Sequence, residues 1–252
     1  MLQHRVIPVL LLKNNGLVKT THFKEPKYVG DPINAIKIFN EKEVDELMLL
    51  DIMASKEKRE PNFTLIEQIA GECFMPLAYG GGISTFEQAQ KLFSIGIEKV
   101  CLQSSAIENS ELITKLAEHY GSQSIVVSLD VKKNWLGKYE LYHASKAKTL
   151  SLNWKDYLSQ VIVAGAGELV LNAVDKDGTL SGPDLELIKT ASSISNVPLV
   201  AIGGIASLAD IQAVIRAGAS AAAAGAFFVY HGPHRAVLIT YPKQDELKKL
   251  FD

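Results

Sequence analysis

Asp130 ends the apolar run Val126-Val127-Ser128-Leu129-Asp130-Val131. A carboxylate at the tip of a buried strand is placed to work as a general acid or base, although one that merely satisfies loop amides has the same sequence. Asp51 bears a similar relation to its own apolar run, as do Asp175 and Asp177 within Asp175-Lys176-Asp177-Gly178-Thr179. The Gly178 amide is a candidate substrate or phosphate contact, but Asp-Gly equally favours an ordinary turn. Lys19 lies in a long polar segment from Asn14 to Asp31. Such a segment can fold over a site as a lid, or leave its lysine in solvent.

Glycines offer a second kind of chemistry. Gly80-Gly81-Gly82 follows one short apolar run and Gly203-Gly204 another, while the next run in each case leads into Gln103-Ser104 or Gly225-Ala226. Backbone amides bared by glycine, with a helix start behind them, can cradle a phosphate. A tight turn needs glycine too, but the repetition of the pattern favours two anion sites and a ligand phosphorylated at both ends. The candidate contacts are Gly81, Gly82, Gln103, Ser104, Gly203, Gly204, Gly225 and Ala226, together with Lys19, Asp51, Asp177 and Gly178. Arg5, Glu46, Lys99 and Glu168 stand at the starts of four different apolar runs. Inward-facing charges there must pair with one another, so composition alone reads them as a salt-bridge layer.

The elements that would position these residues alternate regularly. Strands are expected at 5–12, 46–52, 76–79, 99–102, 124–131, 168–174, 198–202 and 220–224, and helices at 32–43, 63–73, 86–95, 110–119, 154–164, 184–193, 208–217 and 244–250. Ser84 or Thr85, and Ser207, are expected helix caps. Continuous apolar strands imply a parallel sheet buried on both faces, and eight β–α units in 252 residues predict a (β/α)8 TIM barrel as a single domain. A doubly wound open sheet competes, but it would not require eight units or the repeat that accompanies them. Glu46-Leu47-Met48-Leu49 recurs as Glu168-Leu169-Val170-Leu171, and Pro76-Leu77, Gly81-Gly82-Ile83 and Gly96 recur at the same offset of 122 residues. The expected barrel is therefore two duplicated half-barrels. On this fold, sites lie at the C-terminal ends of strands.

The repeat also exposes a gap. Lys13 matches Lys132, so Leu11 occupies the position corresponding to Asp130. Leucine can neither give nor take a proton, so a pair of strand-tip carboxylates is absent.

Composition narrows the functional class. Hydrophobic residues make up 47% and charged residues 21%, as in a globular protein, with a net charge of −2. That balance supplies no large positive field for nucleic acid or an anionic membrane. Two cysteines, Cys73 and Cys101, exclude a disulfide scaffold and a four-cysteine zinc site. No signal-peptide pattern follows Met1 and no long uncharged apolar stretch occurs. A cytoplasmic protein without metal or cofactor is expected.

Taken together, the motifs carry a resemblance. Gly30-Asp31-Pro32, Asp45-Glu46-Leu47 with Leu50-Asp51-Ile52, Gly80-Gly81-Gly82-Ile83, Glu108-Asn109, Gly121-Ser122-Gln123, Gly165-Ala166-Gly167-Glu168 and Asp177-Gly178-Thr179 resemble the cyclase subunit of imidazole glycerol phosphate synthase, the HisF family, over essentially the whole chain. The resemblance implies two phosphate sites at the barrel mouth, a HisH-type glutaminase docked at the N-terminal face, and ammonia passing up the axis through a gate of four charged residues. Arg5, Glu46, Lys99 and Glu168 match all four gate positions. Of the family's two catalytic aspartates, Asp130 matches one and Leu11 replaces the other. Gln103-Ser104, Gly225-Ala226 and Ile202 also depart from the family's phosphate-site residues.

A branch associated with glycosyl amidation in bacterial surface-polysaccharide clusters (WbuZ-type) resembles this chain in Ile7-Pro8-Val9-Leu10-Leu11-Leu12-Lys13-Asn14, in Phe74-Met75-Pro76-Leu77 and in the 230–238 tail. It implies delivery of glutamine-derived ammonia to an amidotransferase that converts an N-acetyl sugar to an acetamidino sugar. The alternatives are a histidine-pathway cyclase in which water or a loop residue replaces the missing aspartate, and an ammonia conduit with no chemistry of its own. The His-rich tail is expected to be a structured loop, with a docking surface as the alternative.

Overall fold

The computed structural model describes residues 4–251. Its barrel strands are β1 (Arg5–Lys13), β2 (Leu47–Asp51), β3 (Leu77–Gly80), β4 (Lys99–Leu102), β5 (Ile125–Lys133), β6 (Glu168–Ala173), β7 (Leu199–Ile202) and β8 (Ala221–Ala224). Each pairs in parallel with the next, and β8 pairs back to β1 through Arg5↔Ala221 to Pro8↔Ala224, so the sheet closes as an eight-stranded (β/α)8 barrel. The principal helices are α1 (Pro32–Glu41), α2 (Phe63–Glu72), α3 (Phe86–Ser94), α4 (Glu111–Tyr120), α5 (Trp154–Val163), α6 (Leu185–Ile194), α7 (Leu208–Arg216) and α8 (Gln244–Phe251). These elements fall within a few residues of the ranges expected from sequence.

Local chemistry sets the helix starts. The Thr85 hydroxyl accepts from the Gln88 amide, and the Gln88 side chain accepts from the Thr85 amide, making a capping box for α3. Ser207 caps α7 in the same way through the Asp210 amide. Alternation along the strands divides the apolar residues into two cores. One lies between sheet and helices and includes Val6, Leu10, Leu49, Val127 and Leu171. The other fills the barrel interior with Ile7, Val9, Met48, Ala78, Cys101, Val126, Val170, Val200, Ala221 and Ala223. Among the described residues, no helix is long and apolar enough to cross a membrane.

Three hairpins not anticipated from sequence rise from strand ends. Gly16–Thr21 pairs antiparallel with β1 and with Lys24–Gly30. Tyr139–His143 pairs with the upper half of β5. Tyr230–His231 pairs with Ala236–Val237 in the His-rich tail, which forms the expected structured loop. Two short helices, Ser104–Glu108 and Ala226–Val229, begin just beyond β4 and β8.

Candidate functional site

Register brings Asp130 and Asn172 side by side across β5 and β6. Both side chains are buried, with Asp130 at 4% exposure. Burial pushes the Asp130 carboxyl up to about 7; Asn172 and Ser128 favour its charged form, and Asp177 opposes it. A carboxyl poised near neutrality can give or accept a proton at working pH. Asn172 was not singled out in the sequence, although Glu168, Val170 and Asn172 alternate on one strand face, which was the available signal. Across the mouth, Leu11, Leu50 and Ile202 form a partly buried apolar rim on the interior core.

Lys19 is not solvated. It is 5% exposed, sits on the Gly16–Thr21 strand, and donates from Nζ to the Val9 carbonyl. Burial pushes its amine down to about 7, against the pull of Asp177. A cavity of about 40 Å³ is lined by Leu11, Lys19, Thr20, Asp177, Gly178, Gly203, Gly204, Gly225 and Ala226. The structure thus gathers the second proposed anion cradle around a buried lysine and beside position 11.

Asp177 and Gly178 also anchor the hairpin. The Thr20 hydroxyl and the Phe23 amide donate to Asp177 Oδ2 at 3.0 and 3.2 Å, and the His22 amide donates to the Asp177 carbonyl at 3.0 Å. Gly178, at φ +67, lies against the Thr20 carbonyl and leaves no room for a Cβ. Neither an exposed phosphate contact nor an isolated turn describes this pair fully, because it is a docking point for another segment. Asp175 Oδ2 accepts from the Lys133 amide at 2.7 Å.

The first cradle is more tightly closed. Gln103 Nε2 donates to the Tyr142 carbonyl at 3.0 Å, Ser104 Oγ donates to Gln103 Oε1 at 2.8 Å, and the Gly82 amide donates to Ser55 Oγ at 3.2 Å. Gly81 and Gly203 have positive φ and pack against the Asp51 and Ala173 carbonyls of the preceding strands. Asp51 is engaged by its own loop. Its side chain is fully buried, accepts from the Met53 and Ala54 amides at 3.0 Å, and pairs with Arg59 at 2.9 Å, so it caps the loop after β2. A short carboxylate at a strand end readily accepts from the amides that follow it, as this one does.

At the opposite end of the barrel, the four gate candidates form one alternating ring. Arg5 bridges Glu46 and Glu168; Lys99 Nζ closes the circuit at 2.9 Å from Glu46 and 2.8 Å from Glu168. Both glutamates are 3% exposed, so neither could bear its charge there without these partners. Above the ring stands the apolar interior core. Cys101 belongs to it, its thiol held protonated by burial and by Asp130 and Glu168, which push it up to about 12.

The chain matches the family described as "Histidine biosynthesis protein" over residues 5–234. It is 50% identical to the Pseudomonas aeruginosa protein named "Putative imidazole glycerol phosphate synthase subunit hisF2", over 98% of this chain and 99% of that one. A Vibrio vulnificus protein named as subunit hisF3, with the same qualifier, is also 50% identical, over 100% of this chain and 98% of its own. The "Imidazole glycerol phosphate synthase subunit HisF" of Alkaliphilus metalliredigens is 38% identical over 92% of both chains. With its closed barrel and nearly full-length matches, this chain belongs to the histidine biosynthesis protein family, among the HisF-like cyclase subunits of imidazole glycerol phosphate synthase.

Proposed function

We propose that this HisF-like subunit receives ammonia from a HisH-type glutaminase at the barrel floor and delivers it at the mouth for amidation of an N-acetyl sugar in surface-polysaccharide synthesis. The observation that carries this reading is the contrast between the two barrel ends. The floor keeps a complete Arg5–Glu46–Lys99–Glu168 ring, whereas the mouth has Leu11 facing the cavity in place of a second carboxylate. Ammonia is neutral, so an apolar core can pass it while rejecting ammonium, whose desolvation is costly. Asp130 then handles a proton, and the cradle around Lys19, Gly203, Gly204, Gly225 and Ala226 holds a phosphorylated ligand. Two relatives at 50% identity bear the names hisF2 and hisF3, which suit a paralogue, while relatives at 49% and 38% bear the unnumbered HisF name.

The test supplies ammonium salt and the bis-phosphorylated aminoimidazole precursor to the purified protein. The proposal expects no imidazole glycerol phosphate, and turnover at an ordinary enzymatic rate would overturn it.

One observation favours a second reading, a working histidine-pathway cyclase. Lys19, with an amine near neutrality, lines the same cavity as Leu11 and is a group able to stand in for the missing acid. On that reading the same assay shows cyclisation, and Lys19→Met abolishes it.

A further inference from the structure

We infer that Asn172 is a positioning residue for Asp130, orienting its carboxyl with the side-chain amide and turning a free carbonyl oxygen toward a donor on the ligand. This rests on the reading of Asp130 as the proton-handling group of the mouth.

Register is the first support. Asn172 and Asp130 are direct partners across β5 and β6, and on β6 Asn172 continues the inward face of Glu168 and Val170. That register sets the Asn172 side chain beside the carboxyl as a hydrogen-bonding neighbour that favours its charged form, which Leu11, Leu50 and Ile202 cannot be. A second observation concerns the other end of the amide. Asn172 Oδ1 is buried and has no hydrogen-bond donor, a costly state in a folded interior. An amide whose nitrogen serves the carboxyl has its oxygen left over for a different donor. The pair therefore offers an incoming molecule a fixed acceptor next to a carboxyl that can give or take a proton. That complements an N–H-bearing ligand with an acceptor alongside, the pattern of an amide. The remaining titratable groups around Asp130 come from other elements: Cys101 on β4, Tyr142 on the Tyr139–His143 hairpin, Tyr157 on α5, and Asp177 beyond β6. The two tyrosines and the thiol are neutral near pH 7, so Asn172 and Ser128 are the groups that favour the ionised carboxylate.

The experiment follows the Asp130 carboxyl directly by carbon-detected NMR on the full chain labelled at aspartate, so no substrate is required. Asn172→Leu should raise the titration midpoint of Asp130 by about one unit, with the fold intact by circular dichroism. Asn172→Ser, which keeps a donor hydroxyl, should bring the midpoint back toward the wild-type value. An unmoved midpoint in both variants would overturn the positioning role while leaving Asp130's own role standing. A wild-type midpoint in the ordinary carboxylate range would overturn both. Where Asn172→Leu does not fold, Asn172→Ala supplies the same comparison.

Discussion

A single carboxyl shows how the barrel uses burial. Asp130 ionises more readily in the unfolded chain than in the fold, because its folded value is pushed up to about 7. Its contribution to stability is therefore fully present below about pH 4 and is lost as pH rises through about 7. Asp130→Asn removes that dependence. The variant should match the wild type in acid and exceed it at pH 8 by an amount on the order of 4 kcal/mol, readable as a difference in urea midpoints across pH. A wild-type advantage at pH 8 would contradict the buried, neutral-favouring site. The same substitution should abolish sugar amidation while leaving glutaminase binding intact, which separates the chemical role from the pure-conduit reading. Lys19 gives the opposite sign. Its folded value falls to about 7, so it penalises the fold increasingly as pH drops from about 10 to 7. Lys19→Met should therefore raise the thermal midpoint most clearly below pH 7.

Elements were legible where their own residues decided them. β4 was found at its full range, Lys99–Leu102, because a short Val-Cys-Leu run after a charge has few other uses. The Lys24–Gly30 strand was invisible because its residues are mostly exposed and polar, and its pairing is dictated by Gly16–Thr21. Lys19 could not be placed for the same reason. Its burial depends on Asp177, which lies 158 residues further along the chain and fixes the hairpin through Thr20 and Phe23. The five residues of Ser104–Glu108 are too few to show helical periodicity. Asp51 is legible as a strand-end carboxylate, but its Arg59 partner is not, since that contact comes from loop geometry. The Asp177 latch is testable as an element. Gly178→Ala places a methyl against the Thr20 carbonyl in a left-handed conformation. It should loosen the hairpin, raising amide exchange over 16–30 at least tenfold, equivalent to about 1.4 kcal/mol of local opening. Unchanged exchange there, with the rest of the barrel protected, would rule out the latch.

At the scale of the whole molecule, the charged ring at the floor and the mouth lie at opposite ends of the same strands, with the apolar interior core between them. Strands β1, β4 and β6 each place a charge in the ring at the floor, with Glu46 supplied from just before β2, and β1 and β2 carry apolar side chains, Leu11 and Leu50, up to the mouth. The ring is a closed circuit, and opening it requires at least one glutamate to exchange a cation for another partner. Lys99→Met leaves Glu46 and Glu168 sharing Arg5 alone, in an environment where both are 3% exposed. Loss of one member of such a buried network costs about 3 kcal/mol, so the variant should unfold at lower denaturant with an unchanged slope. A gate that merely braced the floor would show that loss and nothing more. A working gate should also lose coupling: with the glutaminase bound, glutamine hydrolysis continues while amidation at the mouth falls. Added ammonium salt, which supplies ammonia at the mouth without crossing the floor, should then restore amidation. Survival of glutamine-driven amidation at the wild-type ratio would show that ammonia reaches the mouth by another route.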